Sequence, residues 1–313
     1  MKAGNINLVD LSLHKHRGVR GVHLFAAGEV LWDQFDDSSR LGGAPLNFAA
    51  HAKRLGHDPL LVSAVGVDAA GAAAMQAITA LGLDTTFIQS TDRFNTGVAT
   101  VRVDTGEDTS FTIQRPAAYD AIALTDAALD AFVRWNPSWF YYGTVFAARP
   151  EGRGVLDRLL RALPHATRFY DLNLRPGHDE PDLVDDLLHR ANVVKLNERE
   201  LRVVHDALGL PCEPETFCEH GADRYGWKAV CVTFGARGCA MRVGDEYVES
   251  PGCRITVADP VGAGDAFAAA FVHGLASNWR AARIARFANR VGALVASAPG
   301  AIPDFTLDAV FDA

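Results

Sequence analysis

The sequence contains no apolar run long enough to cross a membrane and no block of basic residues. A transmembrane helix needs about 18 or more uninterrupted apolar residues, and none of the hydrophobic stretches reaches that length. Lysine and arginine are scattered, and the formal net charge is −8, which disfavours a nucleic-acid partner. The first residues are polar and lack the apolar segment of a signal peptide. We therefore expect neither a membrane nor a nucleic-acid partner.

Cysteine is scarce, and its pattern excludes a disulfide framework. The five cysteines are odd in number and include no Cys-x-x-Cys pair. Cys212, Cys218 and His220 lie close enough in sequence to suggest a metal cluster, but their spacing matches no common zinc pattern. Reduced thiols in a cytoplasmic protein are the interpretation that this pattern favours.

Two common nucleotide-binding motifs are also missing. Neither Gly-x-x-x-x-Gly-Lys-Ser/Thr nor Gly-x-Gly-x-x-Gly occurs anywhere in the chain. A P-loop NTPase and an ordinary dinucleotide-binding dehydrogenase therefore lose their main support.

Short apolar runs alternate with helical patterns along most of the 313 residues. The alternation predicts an α/β fold with a parallel sheet and helices on both of its faces. We expect a polar extension over residues 1–21 and one domain over residues 22–313. The predicted strands are 22–26, 60–65, 139–142, 168–172, 193–196 and 230–233, and the predicted helices are 46–55, 70–81, 154–163, 183–190 and 198–207.

One region interrupts this alternation. Two β-rich runs, 97–103 and 109–114, flank a polar turn at residues 104–108, which is typical of a hairpin. Residues 32–41 could supply a further strand. We expect a small β flap over the site, and its exposed edge offers a surface for pairing with a second copy in a homodimer.

The strongest chemical signal is the segment Asp259-Pro-Val-Gly-Ala-Gly-Asp265, which runs directly into a helical pattern. Gly262, Ala263 and Gly264 leave backbone N–H groups open to a ligand, and the helix N-terminus favours an anion. Asp265 then places a carboxylate that can accept a hydroxyl proton while the amides hold a phosphoryl group. We expect the helix terminus to lower the pKa of Asp265. The alternative is a glycine turn with Asp265 as a helix cap.

A second segment, Gly42-Gly-Ala-Pro-Leu-Asn47-Phe-Ala49, precedes this one by more than two hundred residues. The two segments resemble the N- and C-terminal signatures of the PfkB (ribokinase-like) carbohydrate kinases. Shorter matches at 65–68, 197–200, 233–238 and 300–303 extend the resemblance over about residues 22–312. It implies a ribokinase-like three-layer fold with a mostly parallel central sheet and a β lid, drawn here from about residues 33–43 and 94–115. The implied activity is ATP-dependent phosphorylation of a sugar.

The resemblance also assigns site residues. Asp265 becomes the catalytic base beside the anion hole of Gly262, Ala263 and Gly264, and the sugar is implied to contact Asp33, Gly42, Gly43, Asn47 and Asp265. Asn197 and Glu200 match an Asn-x-x-Glu motif that positions Mg²⁺ through water, as suits a hard cation that keeps much of its hydration shell. The implied nucleotide-binding residues are Asn197, Thr233, Gly235, Gly238, Gly262, Gly264 and Asn289.

A monovalent-cation site, for K⁺ or a similar ion, is implied at Asp259, the Val261 carbonyl and the Gly300 region. Asp304 departs from the pattern here, because some relatives carry serine at that place.

The segment Asp171-Leu-Asn-Leu-Arg175-Pro176 bears on which sugar is used. It resembles a run found in fructokinases and 2-keto-3-deoxygluconate kinases, and Arg175 and Arg115 offer guanidinium groups suited to phosphate or carboxylate oxygens. A salt bridge is the alternative interpretation of either arginine. The segment Gly-Gly-Ala-Pro-Leu-Asn favours fructose as substrate, with the sugar acid as the alternative. A kinase of another sugar and a catalytically silent sugar-binding regulator remain open, and Trp32 departs from the usual aliphatic residue.

Overall fold

The structure is a computed structural model that describes residues 21–103, 109–306 and 310. The predicted polar extension therefore lies almost wholly outside the described residues, and so does the predicted turn at 104–108. The strands are β1 His23–Ala27, β2 Leu31–Gln34, β3 Ser39–Gly42, β4 Asp58–Gly66, β5 Ile88–Thr91, β6 Gly97–Val103, β7 Thr109–Ile113, β8 Trp139–Gly143, β9 Thr167–Asp171, β10 Val193–Asn197, β11 Ala229–Thr233, β12 Gly238–Val243 and β13 Glu246–Pro251.

The helices lie between the strands of the large sheet along most of the chain. They are α1 Ala44–Arg54, α2 Ala69–Ala80, α3 Asp126–Trp135, α4 Thr144–Ala147, α5 Pro150–Ala162, α6 Pro181–Arg190, α7 Glu198–Leu208, α8 Pro214–Tyr225, α9 Ala263–Ala276 and α10 Ala281–Ala296. Among the helices of the described residues, none combines the length and the apolar character that a membrane crossing requires.

Nine strands form the large sheet, in the order β13-β12-β11-β10-β9-β8-β1-β4-β5. The pairs from β11 to β5 are parallel, and β12 and β13 add an antiparallel edge. Side chains alternate between two buried clusters, so that Leu24 and Ala26 face one layer of helices and Phe25 and Ala27 face the other. Burial on both faces explains why these strands appear in the sequence as continuous apolar runs.

The predicted helix ends are also present. Gly56 and Gly82 follow α1 and α2 with φ of 86° and 73°, and Gly209 ends α7 with φ of 67°. Glycine adopts these left-handed angles more readily than residues with a side chain, which is why it is common at such positions.

A separate four-stranded sheet has the order β3-β2-β6-β7. The predicted hairpin is formed by β6 and β7, which are antiparallel. Residues 32–41 supply two strands where one was predicted, because the segment folds back at a turn closed by Phe35 N–H and the Ser38 carbonyl at 2.9 Å. The α/β architecture with a large, mostly parallel sheet and a smaller sheet is thereby confirmed.

Candidate active site

A cavity of ≈ 510 Å³ lies where the carboxyl ends of the parallel strands meet the small sheet. Its volume falls in the usual range for small-molecule sites. Ala99 and Ile113 of the small sheet contribute to its wall. The sequence-predicted residues that line it are Asp33, Gly43, Asn47, Arg175, Asn197, Glu200, Val261, Gly262, Gly264 and Asp265.

The two signature segments meet in this cavity through a hydrogen bond. Asn47 Nδ2, in the first turn of α1, donates to Asp265 Oδ2, in the first turn of α9, at 2.8 Å, although the residues are 218 positions apart. The other side-chain atom of Asn47, Oδ1, is buried and has no hydrogen-bond partner among the described residues. Because a buried polar atom without a partner is unfavourable, Oδ1 is positioned to accept a hydrogen bond from a ligand.

The environment of Asp265 raises its pKa to about 6. Desolvation is the largest cause and the charge of Asp171 adds to it, while Asn47, Lys195 and Arg175 act in the opposite direction. The expectation of a lowered pKa was therefore wrong in direction. The helix terminus favours the ionised form, but removal from water disfavours it more strongly. A carboxylate with a pKa near 6 is a better proton acceptor than an exposed one.

The loop before α9 has the backbone geometry expected of an anion hole. Gly262 caps α9 with φ of 81°. A Cβ atom at this position would lie 2.5 Å from the Ala301 carbonyl oxygen, so no larger residue fits. Gly264 lines the cavity beside Asp265, whereas Ala263 does not and its N–H donates to the Pro260 carbonyl at 3.3 Å.

A buried ion pair lies below this loop. Lys195 Nζ on β10 contacts both carboxylate oxygens of Asp171 on β9, at 2.9 and 3.1 Å. The Tyr141 hydroxyl donates to the same carboxylate at 3.3 Å. A Cβ atom built on Gly264 would lie 3.7 Å from Nζ, which places the ammonium group beneath the anion hole. Its charge lowers the pKa of Asp265.

Two further carboxyl groups line the cavity near Asn47. Glu29 follows β1 and is 4% exposed, and its Oε2 atom has no hydrogen-bond partner among the described residues. Burial raises the pKa of Glu29 to about 7 and that of Asp33 to about 7. Near neutral pH such carboxyls can both donate and accept hydrogen bonds, as the hydroxyl groups of a sugar require.

Gly42 and Gly43, which precede α1, leave room for Asp33 and Glu29. A Cβ atom on Gly42 would lie 2.2 Å from Asp33 Oδ2, and one on Gly43 would lie 2.4 Å from the Glu29 carbonyl oxygen. Gly43 also has φ of 113°. Gly42 does not itself line the cavity, so its contribution is to let the Asp33 carboxyl lie against the backbone.

The two predicted arginines occupy different places. Arg175 lines the cavity. Arg115 does not: its guanidinium forms a buried salt bridge with Asp120, and its Nη1 donates to the Val145 carbonyl at 2.6 Å. The alternative interpretation of a salt bridge therefore describes the observed contacts of Arg115, and its contact with a sugar stays a prediction.

Asn197 and Glu200 also line the cavity. They form a capping box at the start of α7: Glu200 N–H donates to Asn197 Oδ1 at 2.9 Å, and Asn197 N–H donates to Glu200 Oε2 at 2.8 Å. Glu200 Oε1 accepts the Leu174 N–H at 2.7 Å. Each carboxylate oxygen keeps a second lone pair, so the pair fits an Mg²⁺ ion held through water. Among the described residues, no group of three or more acidic, histidine or cysteine side chains could hold a metal directly.

The remaining nucleotide-binding predictions lie toward the antiparallel edge of the large sheet. Asn289 lines a second cavity of ≈ 280 Å³, and its amide donates to the Pro251 carbonyl at 3.1 Å. Thr233 ends β11, Gly235 begins a short 3₁₀ turn and Gly238 begins β12. These three do not line either cavity, and their contact with a nucleotide stays a prediction.

The predicted monovalent-cation site has a different geometry from the one implied. Asp259 Oδ1 accepts the Val261 N–H at 3.0 Å, and Oδ2 accepts the Gly300 N–H at 3.0 Å. Oδ2 also forms a salt bridge with Arg40 of β3. Arg40 therefore already provides a positive charge at this carboxylate, and with its guanidinium in place the carboxylate does not fit a bound metal ion as well.

Sequence reasoning missed Glu29 and Lys195, although both left a signal. Glu29 is a charged residue just beyond an apolar strand, at the edge where ligands of α/β sheets bind. Lys195 is a charged residue inside the apolar run of β10, and a lysine is buried there only with a partner. Neither feature was interpreted as part of the site.

A model of the pfkB family carbohydrate kinases matches residues 12–307. The chain belongs to this family. Fructokinase of Escherichia coli is 29% identical over 276 residues, which cover 83% of this chain and 87% of that protein. The fructokinase-like resemblance is thereby confirmed, and the pfkB protein described here is an ATP-dependent carbohydrate kinase.

Solved structures show the same fold. Fructokinase from Xylella fastidiosa with bound ATP superposes with a TM-score of 0.81 at 24% identity, covering 93% of this chain and 97% of that one. The 2-dehydro-3-deoxygluconokinase of Thermotoga maritima gives a TM-score of 0.81 at 18% identity, covering 94% and 98%. These similarities confirm the ribokinase-like architecture and leave the choice between a ketose and a sugar acid open.

Proposed function

We propose that this pfkB kinase transfers the γ-phosphoryl group of ATP to a primary hydroxyl of fructose. The observation that carries the proposal is the hydrogen bond between Asn47 and Asp265 inside the cavity. It brings a hydroxyl-binding amide, a proton acceptor and an anion-binding helix terminus to one place. A phosphoryl transfer to an alcohol needs these three groups together.

In the proposed reaction Asp265 accepts the proton of the sugar hydroxyl. The hydroxyl oxygen forms the new bond to the γ-phosphorus, and the bond from that phosphorus to the bridging oxygen of ATP breaks, so that ADP leaves with the electron pair. In a loose transition state the proton is lost late, and a carboxylate with a pKa of about 6 is then a sufficient base. Asn47 orients the carboxylate for this step.

Partial positive charge for the transferring group comes from the loop amides. The first-turn N–H groups of Gly264 and Asp265 have no intrahelical partners and can bind phosphoryl oxygens, while Lys195, paired with Asp171, lies close to Gly264. When bound with ATP, Mg²⁺ neutralises part of the phosphate charge. Asn197 and Glu200 would hold it through water.

The acids around Asn47 favour a neutral sugar. Glu29, Asp33 and Asp265 all line the cavity, and the carboxylate of a sugar acid would be repelled wherever they are ionised. Hydroxyl groups, in contrast, can both donate to and accept from them. The similarity to E. coli fructokinase supports the same choice.

The second candidate is 2-keto-3-deoxygluconate, and the position of Arg175 favours it. Arg175 lines the same cavity, and a guanidinium group suits a carboxylate as well as a phosphate group. A panel assay separates the candidates: ADP release is measured with saturating ATP and Mg²⁺ for fructose, other hexoses, ribose and 2-keto-3-deoxygluconate.

We expect the highest kcat/KM with fructose. If fructose releases no ADP above background while the sugar acid does, fructose is the wrong substrate and the second candidate replaces it. If no sugar supports ADP release but calorimetry detects sugar binding, the protein is a silent regulator and the proposal fails.

Two properties of the whole protein are proposed with this activity. All five cysteines are free thiols, which supports a cytoplasmic location. The edge strand β3 or β7 of the small sheet could pair with its copy in a homodimer. Light scattering on the purified protein tests the dimer, and a monomeric mass at working concentration would exclude it.

A further inference from the structure

Asp259 is the first residue of the anion-binding loop, and its carboxylate is almost fully enclosed by hydrogen-bond donors. It is 8% exposed and receives the N–H groups of Val261 and Gly300, together with the Arg40 guanidinium. Buried carboxylates are stable when charge and hydrogen bonds compensate them. Each oxygen of Asp259 has such compensation.

Carbonyl oxygens of the segment that follows Gly300 also accept hydrogen bonds, and each keeps a second lone pair. A potassium ion is held by several oxygen atoms that replace its hydration shell. The Ala301 carbonyl accepts from His51 Nε2 at 2.9 Å, and the Ile302 and Pro303 carbonyls accept from the Arg54 guanidinium. Burial lowers the pKa of His51 to about 4, so its ring is neutral and uses its one N–H for this bond.

Arg40 reaches Asp259 from the small sheet. It lies on β3, two residues before the glycine pair that makes room for Glu29 and Asp33. Its guanidinium also lies over the Phe35 ring, 5.0 Å from the centroid, which restricts its position. Arg40 and Asp259 are 219 positions apart in the sequence, so their contact links the small sheet to the anion-binding loop.

The charge of Asp259 affects a group on the substrate side of the cavity. It is one of the charges that raise the pKa of Asp33, and Val261 beside it lines the cavity. An uncompensated carboxylate here would oppose the binding of ATP phosphates. The loop therefore requires a cation at Asp259 when nucleotide binds.

We propose that Arg40 is a positioning residue that supplies, from β3, the positive charge a monovalent metal ion would otherwise supply at Asp259. The kinase then works without K⁺, and the position of the small sheet is coupled to that of the anion-binding loop. This inference rests on the kinase activity but not on the identity of the sugar.

The test compares turnover in potassium-free buffer with turnover in KCl, with choline chloride keeping the ionic strength equal. Whichever sugar the panel assay identifies serves as substrate. We expect the wild-type rate to be the same in both salts. Arg40→Gln should lose about tenfold to a hundredfold in kcat/KM without K⁺, because the charge that compensates Asp259 beside the anion-binding loop is removed, and KCl should restore part of the loss.

Arg40→Lys keeps a positive charge and should stay insensitive to K⁺. A matched control is Arg93→Gln, because Arg93 also lies over a nearby aromatic ring, that of Phe94, but is not the salt-bridge partner of Asp259. It should behave as wild type in both salts. A purely structural role for Arg40 would lower the activity of Arg40→Gln without making it respond to K⁺.

A calorimetric measurement of ADP affinity in both salts gives a readout that does not need turnover. Arg40→Gln should bind ADP more weakly without K⁺ and regain affinity with it, even if the sugar is misassigned. Wild-type turnover or ADP affinity that rises about tenfold with KCl would overturn the proposal. So would an Arg40→Gln variant that matches the wild type in both salts.

Discussion

Replacing Asn47 with leucine should move the pH at which the kinase becomes active. Asn47 donates a 2.8 Å hydrogen bond to Asp265, and this bond lowers a pKa that burial raises to about 6. Leucine has a similar volume and keeps water out, but it cannot donate. The ionised form of Asp265 is then stabilised less, and a higher pH is needed to form it.

The size of the change follows from the kind of bond. A hydrogen bond to a charged group contributes about 1.5–3 kcal/mol, and 1.36 kcal/mol corresponds to one unit of pKa. Activity needs ionised Asp265, so it rises with pH through the pKa of that group. The acid limb of the kcat profile should move from near pH 6 in the wild type to about pH 7–8 in Asn47→Leu.

The assay measures kcat from pH 5 to 9 with saturating sugar, ATP and Mg²⁺. With saturating sugar the kcat profile reports only groups that titrate in the bound complex, and protonation of ATP itself affects both proteins equally. An acid limb at the same pH in Asn47→Leu and wild type would refute the assignment of that limb to Asp265.

Three further substitutions test neighbouring groups. Glu29→Gln should raise the free energy of unfolding of the ligand-free protein by about 3 kcal/mol at pH 8 but not at pH 4. The pKa of the buried Glu29 carboxyl is raised to about 7, so the wild-type protein loses stability as the pH rises through that value. The same substitution should raise the KM for sugar. Lys195→Met should cost about 3–5 kcal/mol in denaturant unfolding, since it leaves Asp171 buried without its cation, and adding Asp171→Leu should recover part of this. Arg175→Ala should raise KM for sugar or ATP more than it lowers kcat.

Each of these has a result that would contradict it. Equal unfolding free energies for Glu29→Gln and wild type at pH 8 would show that burial does not penalise this carboxylate. A loss below about 1 kcal/mol in Lys195→Met would mean that the ion pair is not a buried, compensated pair. A fall in kcat without a change in either KM would place Arg175 in the chemical step.

The sequence was sufficient to predict six adjacent parallel strands of the large sheet, because they are buried on both faces, whereas β5, β12 and β13 at its edges were not predicted. β8 is buried at all five positions, and such a strand must appear as an apolar run. The small sheet was harder to predict. Residues 32–41 were interpreted as one strand, although Asp36, Asp37 and Ser38 are residues that favour the turn which divides the segment into β2 and β3.

The residues of the site could be predicted only where they lie in short sequence motifs. Asn47 and Asp265 lie in two such motifs, but their contact depends on how α1 and α9 pack together. The pairing of Arg40 with Asp259 and of Arg115 with Asp120 depends on side-chain positions that no local pattern specifies. The raised pKa of Asp265 has the same origin: the helix terminus is visible in the sequence, whereas the extent of burial is a property of the folded chain.

The most direct test of the central claim is the turnover number of Asp265→Asn. This substitution keeps the shape of the side chain and removes its ability to accept the hydroxyl proton. Loss of a general base reduces rates by about 10²–10⁴, so kcat should fall at least about a hundredfold while ATP affinity, measured by calorimetry, changes little. A kcat close to that of the wild type would contradict the account and leave Asp265 as a helix-terminal residue without a catalytic role.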